Sequence, residues 1–124
     1  MEILGTTLRV CVDDLDRTVP FYERLVGRPA ERFDRGNVSV AAVGCFLLMS
    51  GPAAEIEVLR QVRATLAVPD VEEAAVALLA SGGRVLAGPI GSPAGRTLVA
   101  LHQDGSIFEY ADRGGGGGDA GGVR

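Results

Sequence analysis

The chain has 124 residues, of which 47% are hydrophobic and 23% charged, and its formal net charge is −4. This length fits one compact domain that buries about two thirds of its unfolded surface. The acidic balance argues against sequence-independent binding to nucleic acid, which needs a basic surface, and favours a neutral or cationic small-molecule partner. No apolar run reaches the ~20 residues that span a bilayer, and the first ten residues lack signal-peptide character. We therefore expect a cytoplasmic protein that makes no membrane contact.

The first part of the chain predicts a strand, a helix and three further strands. Apolar residues alternate along the first strand, so that one face carries Leu8, Val10 and Val12 and the other carries Thr7, Arg9 and Cys11. We expect a turn from Asp14 and regular helix from about Thr18, because Pro20 is tolerated best in a first helical turn. The three following β-type segments are residues 32–36, 38–44 and 45–50.

The second part repeats this pattern. A shift of 56 positions aligns Val10 with Leu66, Val12 with Val68, Asp14 with Asp70, and Gly27-Arg28 with Gly83-Arg84. Such a fixed offset indicates two copies of one supersecondary unit. Asp70, with Glu73 at capping-box distance, should cap a helix that continues through Ala74 to Leu79 and ends at "SGG". The next β-type segments are residues 83–91, 95–102 and 105–112.

These elements predict an α+β fold built from tandem βαβββ modules. The copies span about residues 5–50 and 61–112 of one domain, residues 1–112. Each sheet should carry a helix on its back, and the two sheets should form a concave, half-open pair. Residues 113–124 are rich in glycine and have few side chains that could join a core, so we predict a disordered tail.

The candidate reactive residues are few. Cys11 and Cys45 should be small buried hydrophobes rather than a disulfide. His102 is the only histidine, which rules out a multi-histidine metal site within one chain and favours a surface or strand-end role over ligand contact or proton transfer. Nothing in the spacing requires Cys11 and His102 to act as nucleophile and base. The segment "GPIGSPAGR", residues 88–96, lacks the pattern of a phosphate-binding loop and is predicted to be a mobile loop at a cavity rim.

Two motifs connect the repeat to a known family. The first copy contains "V-x-D-L-D-R-x-x-x-F-Y-x-x-L-x-G", and the second ends with "D-G-S-x-x-E-Y". Tandem βαβββ units with these motifs resemble the vicinal oxygen chelate superfamily, over residues 5 to 112. That superfamily includes glyoxalase I, extradiol dioxygenases, fosfomycin-modifying enzymes and drug-binding proteins of the bleomycin-resistance type. The resemblance implies the glyoxalase/bleomycin-resistance fold.

The resemblance also implies where a metal would bind. Members with a metal take ligands from the first and last strands of each copy, and the matching positions here hold Thr7, Leu48, Arg63 and Glu109. One carboxylate and one hydroxyl do not make a transition-metal site, and an arginine cannot become a ligand. We therefore predict no metal and no other cofactor. Glu109 should face Arg63, either as a fixed cation site for a ligand or as a salt bridge that closes the cavity floor.

Strand alternation predicts the ligand-binding face. That face should carry Thr7, Arg9, Cys11, Phe46, Leu48, Arg63, Thr65, Ala67, Ile107 and Glu109. The opposite set should pack under the helices and comprises Leu8, Val10, Leu47, Met49, Leu66, Val68, Phe108 and Tyr110. The first set mixes apolar surface with a few polar groups, as small-molecule sites do, although part of it could instead be dimer interface.

The resemblance to the bleomycin-resistance branch implies a binding protein more than an enzyme. In that branch, metal-free homodimers sequester cytotoxic natural products, and a DNA-damaging aromatic antibiotic is the ligand class we expect. The alternative is a metal-independent isomerase or lyase with Glu109 as general base and Arg63 stabilising an enolate. A metalloenzyme with ligands outside the aligned positions is a third alternative.

Overall fold

The order of the elements confirms the α+β fold with tandem βαβββ modules. The structure, a computed structural model, describes residues 1–92 and 95–113. The first module consists of β1 (Gly5–Cys11), α1 (Leu15–Val26), β2 (Glu31–Arg35), β3 (Val38–Val43) and β4 (Phe46–Ser50). The second consists of β5 (Val62–Ala67), α3 (Val71–Ala80), β6 (Arg84–Ser92), β7 (Gly95–Leu101) and β8 (Ile107–Ala111). A short helix that the sequence did not predict, α2 (Ala53–Leu59), lies between them. Of the predicted tail, residues 114–124 lie outside the described residues.

The chain divides into two units that follow the repeat. The first-copy unit is Thr7–Val62, and the second-copy unit is Met1–Thr6 with the chain from Arg63 onward. The strand order is β2-β3-β4-β1 in the first-copy unit and β5-β8-β7-β6 in the second. Corresponding backbone hydrogen bonds join the residue after the first strand of each unit to the last strand of that unit. Val12 N donates to Met49 O, and Val68 N donates to Ala111 O, both at 2.9 Å. The sequence repeat is therefore also a repeat of backbone pairing.

Helix α1 begins three residues earlier than predicted. Asp14 is its N-cap, and the Asp14 carboxylate accepts a hydrogen bond from Arg17 N at 3.2 Å. Pro20 consequently lies inside the helix rather than in its first turn. The cap and the burial of Leu15 compensate for the hydrogen bond that the proline nitrogen cannot donate. The helix ends at Gly27, whose φ of 79° is strained for residues with a side chain.

Helix α3 has the limits that the sequence predicts. The Asp70 carboxylate accepts a hydrogen bond from Glu72 N at 2.7 Å, so Asp70 is the predicted N-cap. The helix ends at Ala80, and Ser81 is its C-cap at the start of the "SGG" segment. Its buried side is one apolar stripe, formed by Val71, Ala74 and Leu78.

The two units pack their strands differently. In the second-copy unit one cluster of the described buried residues lies between α3 and the strands: Leu66, Val68, Val71, Ala74, Leu78, Leu98, Ala100 and Tyr110. In the first-copy unit, one cluster lies beneath α1 and comprises Leu15, Val19, Ala41, Val43 and Leu48. A separate cluster lies beneath α2 and comprises Val38, Val40, Met49 and Ile56. The strands of the first copy are therefore covered on both faces.

The outer strands of the two units differ in character. In β2, the outer strand of the first-copy unit, every residue is exposed, and charged residues flank Phe33. In β6, the outer strand of the second-copy unit, the exposed side chains include Leu86 and Ile90, and the register with β7 shifts twice. Among the described residues, no helix has the length and apolar character needed to cross a membrane.

Candidate functional site

The front face of each unit is the strand face opposite α1 or α3. In the second-copy unit, Phe108 and Tyr110 pack with the α3 cluster, as predicted, so the alternate residues of β8 point the other way. The strand pairing then assigns to this front face Arg63, Thr65 and Ala67 of β5, Thr97, Val99 and Leu101 of β7, and Ile107, Glu109 and Ala111 of β8. The face is mostly apolar, with two threonines, one carboxylate and the exposed Arg63.

Glu109 is the polar centre of the second-copy front face. Only 8% of the residue is exposed, although its strand neighbours Ile107 and Ala111 are half-buried. Thr65 Oγ1 donates a hydrogen bond to Glu109 Oε1 at 2.9 Å, and Val99 is its register partner on β7. A buried carboxylate interacts strongly with a donor or cation in contact with it, because little solvent screens the charge.

Arg63 does not form the predicted pair with Glu109. Arg63 is exposed, and no ion pair joins it to Glu109. The reason is position along β5, because the residue bonded to Glu109 is Thr65. Arg63 lies two residues away on the same strand face, a distance of about 6.6 Å. The predicted fixed cation beside Glu109 is therefore not supplied by Arg63.

The structure also corrects the face assigned to Phe46 and Leu48. Leu48 is fully buried beneath α1, and the Phe46 ring contacts Tyr22 of α1 at a centroid distance of 4.9 Å. Val12 N bonds to Met49 O in the first copy as Val68 N bonds to Ala111 O in the second, so Met49 corresponds to Ala111. The last strands of the two copies are therefore offset by 62 positions, whereas the first strands are offset by 56. Leu47, not Leu48, is therefore the counterpart of Glu109. Phe46 and Leu48 belong to the helix-side core, and Leu47 with Met49 points to the front.

Thr7, Arg9 and Cys11 lie on the front face of the first copy. Cys11 packs beside the cluster beneath α2, whereas Val10 packs beside the cluster beneath α1, so alternation places Thr7 and Arg9 on the Cys11 side. Leu8, expected under the helix, is 45% exposed. Of the predicted ligand-binding residues, the structure thus brings Thr65 and Glu109 into contact, with Ile107 beside them on β8.

The residues present do not fit a metal. Among residues 1–92 and 95–113, no group of three histidine, cysteine, aspartate or glutamate side chains is arranged to hold a metal ion. At the family's ligand positions, Glu109 is the one carboxylate, and neither Leu47 nor Leu48 has a donor atom. A divalent transition metal needs several nitrogen, sulfur or oxygen ligands at about 2 Å, which this set does not provide.

Arg96 forms a charged junction that the sequence did not reveal. Its guanidinium contacts Asp112 at 2.8 Å, Glu72 at 3.1 Å and Asp70 at 3.2 Å, and the Asp112 side chain is only 1% exposed. The hydrogen bond to Asp112, together with the nearby negative charges, raises the pKa of Arg96. Asp112 Oδ2 also accepts from Val71 N at 2.8 Å. One ion cluster thereby joins β7, the end of β8 and the start of α3.

The structure contradicts the prediction that "GPIGSPAGR" is a mobile loop. Pro93 and Ala94 lie outside the described residues, but Ile90 and Gly91 pair with Thr97 and Arg96. These residues form a strand hairpin rather than a mobile loop. A Cβ at Gly95 would collide with the Asp112 carbonyl oxygen, so this backbone crossing requires glycine.

His102 has a structural environment at the end of β7. Its Nε2 lies 2.8 Å from the Tyr110 hydroxyl, and its ring stacks on Phe108 with centroids 4.4 Å apart. Burial raises the pKa of Tyr110. The histidine therefore provides the polar partner of a buried tyrosine, which agrees with the predicted strand-end role but not with a surface position. Cys11 lies in the first-copy unit, whereas His102 lies in the second-copy unit.

Comparisons with known proteins identify solved structures that share this fold. An uncharacterized protein from Methanosarcina mazei shares 32% identity and a TM-score of 0.85, over 91% of this chain and 94% of its own. Methylmalonyl-CoA epimerase from Mycobacterium tuberculosis matches with a TM-score of 0.68 and 16% identity, over 89% of this chain and 88% of its own. The chain therefore belongs to one family with the Methanosarcina mazei protein, and it has the fold of the methylmalonyl-CoA epimerases, which are members of the vicinal oxygen chelate superfamily.

Other methylmalonyl-CoA epimerases match with slightly lower TM-scores. A variant of the Streptomyces coelicolor methylmalonyl-CoA epimerase, in complex with 2-nitronate-propionyl-CoA, has a TM-score of 0.66 and 18% identity, over 90% of this chain and 95% of its own. At this identity the match shows the fold. No protein-family model matches the sequence, and no curated protein matches it.

Proposed function

We propose that this protein binds a small molecule without a metal and sequesters a cytotoxic natural product, a DNA-damaging aromatic antibiotic being the ligand class. The observation that carries the proposal is Glu109, a buried carboxylate at the centre of an apolar strand face. Sites for small molecules combine apolar walls with a few well-placed polar groups, and Glu109 with Thr65 supplies such groups here.

The chemistry of this face favours a ligand that is flat, apolar and positively charged or rich in donors. Val99, Leu101 and Ile107 offer aliphatic surface for an aromatic ring. Glu109 can accept hydrogen bonds from an ammonium or hydroxyl group, and charge-assisted hydrogen bonds are the stronger kind. The formal net charge of −4 also favours the approach of a cationic molecule over that of an anionic one.

A metal-independent isomerase is the second candidate, and the same carboxylate favours it. A buried glutamate within reach of an acidic C–H could act as a general base. Matched structures with this fold include methylmalonyl-CoA epimerases, although at 13 to 20% identity they share only the fold. We rank sequestration first because Arg63, the group expected to stabilise an enolate, is exposed and does not pair with Glu109.

Calorimetric titration of the full chain with bleomycin and doxorubicin tests the proposal. Both antibiotics are cationic and carry flat aromatic groups. We expect a dissociation constant of about 1 μM or tighter for at least one of them, equivalent to about −8 kcal/mol. Glu109→Gln keeps an acceptor oxygen and should retain binding within about tenfold, whereas Glu109→Ala should weaken it by about 10- to 100-fold. Glu73→Gln, an exposed charge change on α3 of the same unit, is the matched control.

The fate of the ligand separates the two candidates. Under sequestration, mass spectrometry after overnight incubation should recover the antibiotic chemically unchanged. A new product that forms with wild type and Glu73→Gln, but not with Glu109→Gln, would establish an enzyme instead. Elemental analysis of the purified protein should find less than one zinc, nickel, manganese or iron per chain. One tightly held metal per chain would refute the assignment of the ligand positions.

A further inference from the structure

Strands β5 and β8 run parallel, and this direction determines which residue lies beside Arg63. Thr65 donates a hydrogen bond to Glu109, and the backbone hydrogen bond from the residue after β5 to Ala111 lies further along both strands. Because the residue numbers increase together in these two pairs, the strands have the same direction. Two residues back along both strands, Arg63 therefore lies beside Ile107 on the front face of the second-copy unit.

Arg63 and Arg84 stand at the two ends of one row of side chains across this face. Leu101 of β7 is the register partner of Ile107, and Arg84 of β6 is the register partner of Leu101. Cross-strand partners share a face, and Val85 packs with the α3 cluster, so Arg84 points to the front. Three strand spacings, at most about 14 Å, separate the Cα atoms of the two arginines. Two half-buried apolar side chains lie between them.

Neither arginine has an acidic partner in the part of the chain that the structure describes. Arg63 and Arg84 are exposed, and no ion pair involves either of them. Acidic side chains of the same unit gather instead around Arg96, which contacts three of them. The front-face carboxylate, Glu109, lies in the next row, about 6.6 Å along the strands, where Thr65 bonds to it. The described front face thus presents two cations and one anion around apolar side chains.

We propose that Arg63 and Arg84 bind an anionic group of the same ligand whose cationic group contacts Glu109, so that the ligand is an aromatic zwitterion and not a simple cation. This inference rests on the proposed function, because it concerns the same face. A guanidinium matches the two oxygens of a carboxylate with two parallel N–H groups. The spacing of the two rows predicts that the charges of the ligand lie about 6 to 7 Å apart. The two arginines therefore determine which cationic aromatic molecules bind most tightly.

Fluorescence anisotropy with a matched pair of rhodamine dyes tests the proposal on the full chain. Both dyes have the same flat cationic ring system with primary amino groups, and they differ in one group, a free carboxylate in the acid and its methyl ester in the other. The acid should bind wild type at least about tenfold more tightly than the ester. Arg63→Met and Arg84→Met should each reduce this preference to about threefold, and the double variant to less than about twofold. Arg24→Met, an exposed arginine on α1, is the matched control and should keep the full preference.

The two dyes separate failure of this inference from failure of the proposed function. If the ester binds and Glu109→Ala weakens its binding, but wild type does not prefer the acid, the role of the arginines is wrong and the proposed function stands. A preference that persists in the double variant would assign the anion to another group and would also overturn the inference. If neither dye binds, the proposed function and this inference are both contradicted. The arginine variants should keep the melting temperature of wild type, because both side chains are exposed.

Discussion

Substitution of Leu48 by alanine tests the orientation of β4. Leu48 is fully buried among Leu15, Val19, Ala41 and Val43. The change removes three carbon atoms at ~0.8 kcal/mol each, and the remaining cavity adds a further cost, for a total loss of about 3 to 4 kcal/mol. Leu47 is only half-buried on the other strand face, so Leu47→Ala should cost about 1 kcal/mol.

Urea denaturation followed by circular dichroism measures both effects. With a slope of about 2 kcal/mol per M, Leu48→Ala should lower the midpoint by about 1.5 to 2 M and Leu47→Ala by about 0.5 M. Leu79→Ala, at a site that is 62% exposed on α3, should shift it by less than about 0.25 M. If Leu47→Ala lowers the urea midpoint as much as Leu48→Ala, the two faces of β4 are assigned the wrong way round, and Leu48 lies on the front face.

Three further predictions concern other parts of the molecule. Because burial raises the pKa of Tyr110, its stabilising effect is present below about pH 10 and is lost as the pH rises further, since the unfolded chain ionises its tyrosine first. Tyr110→Phe should therefore show a shallower loss of stability between pH 9 and 11.5 in chemical denaturation. Arg96→Met removes the guanidinium that contacts the buried Asp112 and should lower the melting temperature, whereas Arg60→Met, whose pair with Glu57 is exposed, should not. Light scattering at micromolar concentration should give a homodimer, about twice the chain mass of 12.8 kDa, and a monomer throughout would contradict this.

The parts of the fold that the sequence predicts are those with local signals. The Asp70 cap, the "SGG" stop and the alternation of Phe108 and Tyr110 with Ile107 and Glu109 each depend on near neighbours in the chain. Such signals predict the structure correctly because they depend only on backbone geometry and on the side-chain period within one element. They were sufficient to place Glu109 on the front face and to predict both modules.

The errors in β4 and α2 have one physical cause. "CFLLMS" contains a continuous apolar run, so its alternation cannot be read, and the structure shows why: Leu48 lies beneath α1 and Met49 beneath α2. A strand that is apolar on both faces needs a cover on both faces. The segment "AAEIEVL" shows only Ile56 and Leu59 at helical spacing, too weak a period to predict α2 by itself. The apolar run of β4 is therefore the sequence feature that indicates a second covering element, which the structure shows to be α2.

The errors at the candidate site arise from pairing between distant segments. Which β5 residue contacts Glu109 depends on the register of β5 against β8, which no local pattern encodes, so the sequence predicts Arg63 where the structure has Thr65. The Arg96 junction likewise joins residues as much as 42 positions apart, counted from Asp70 to Asp112. Only the folded chain brings such groups together.

The contrast between the two outer strands limits how copies of this chain can associate. If β6 of one chain pairs with β6 of another, both copies of β6 are used, and a two-fold axis relates the two chains. Pairing of β6 with β2 would instead leave an unpaired β2 at one end and an unpaired β6 at the other, so that further chains could add without limit. The exposed acidic and basic side chains along β2 oppose that second mode, because a strand docking there must meet or desolvate them. The charged side chains of β2 therefore disfavour open-ended, fibre-like association of the chains.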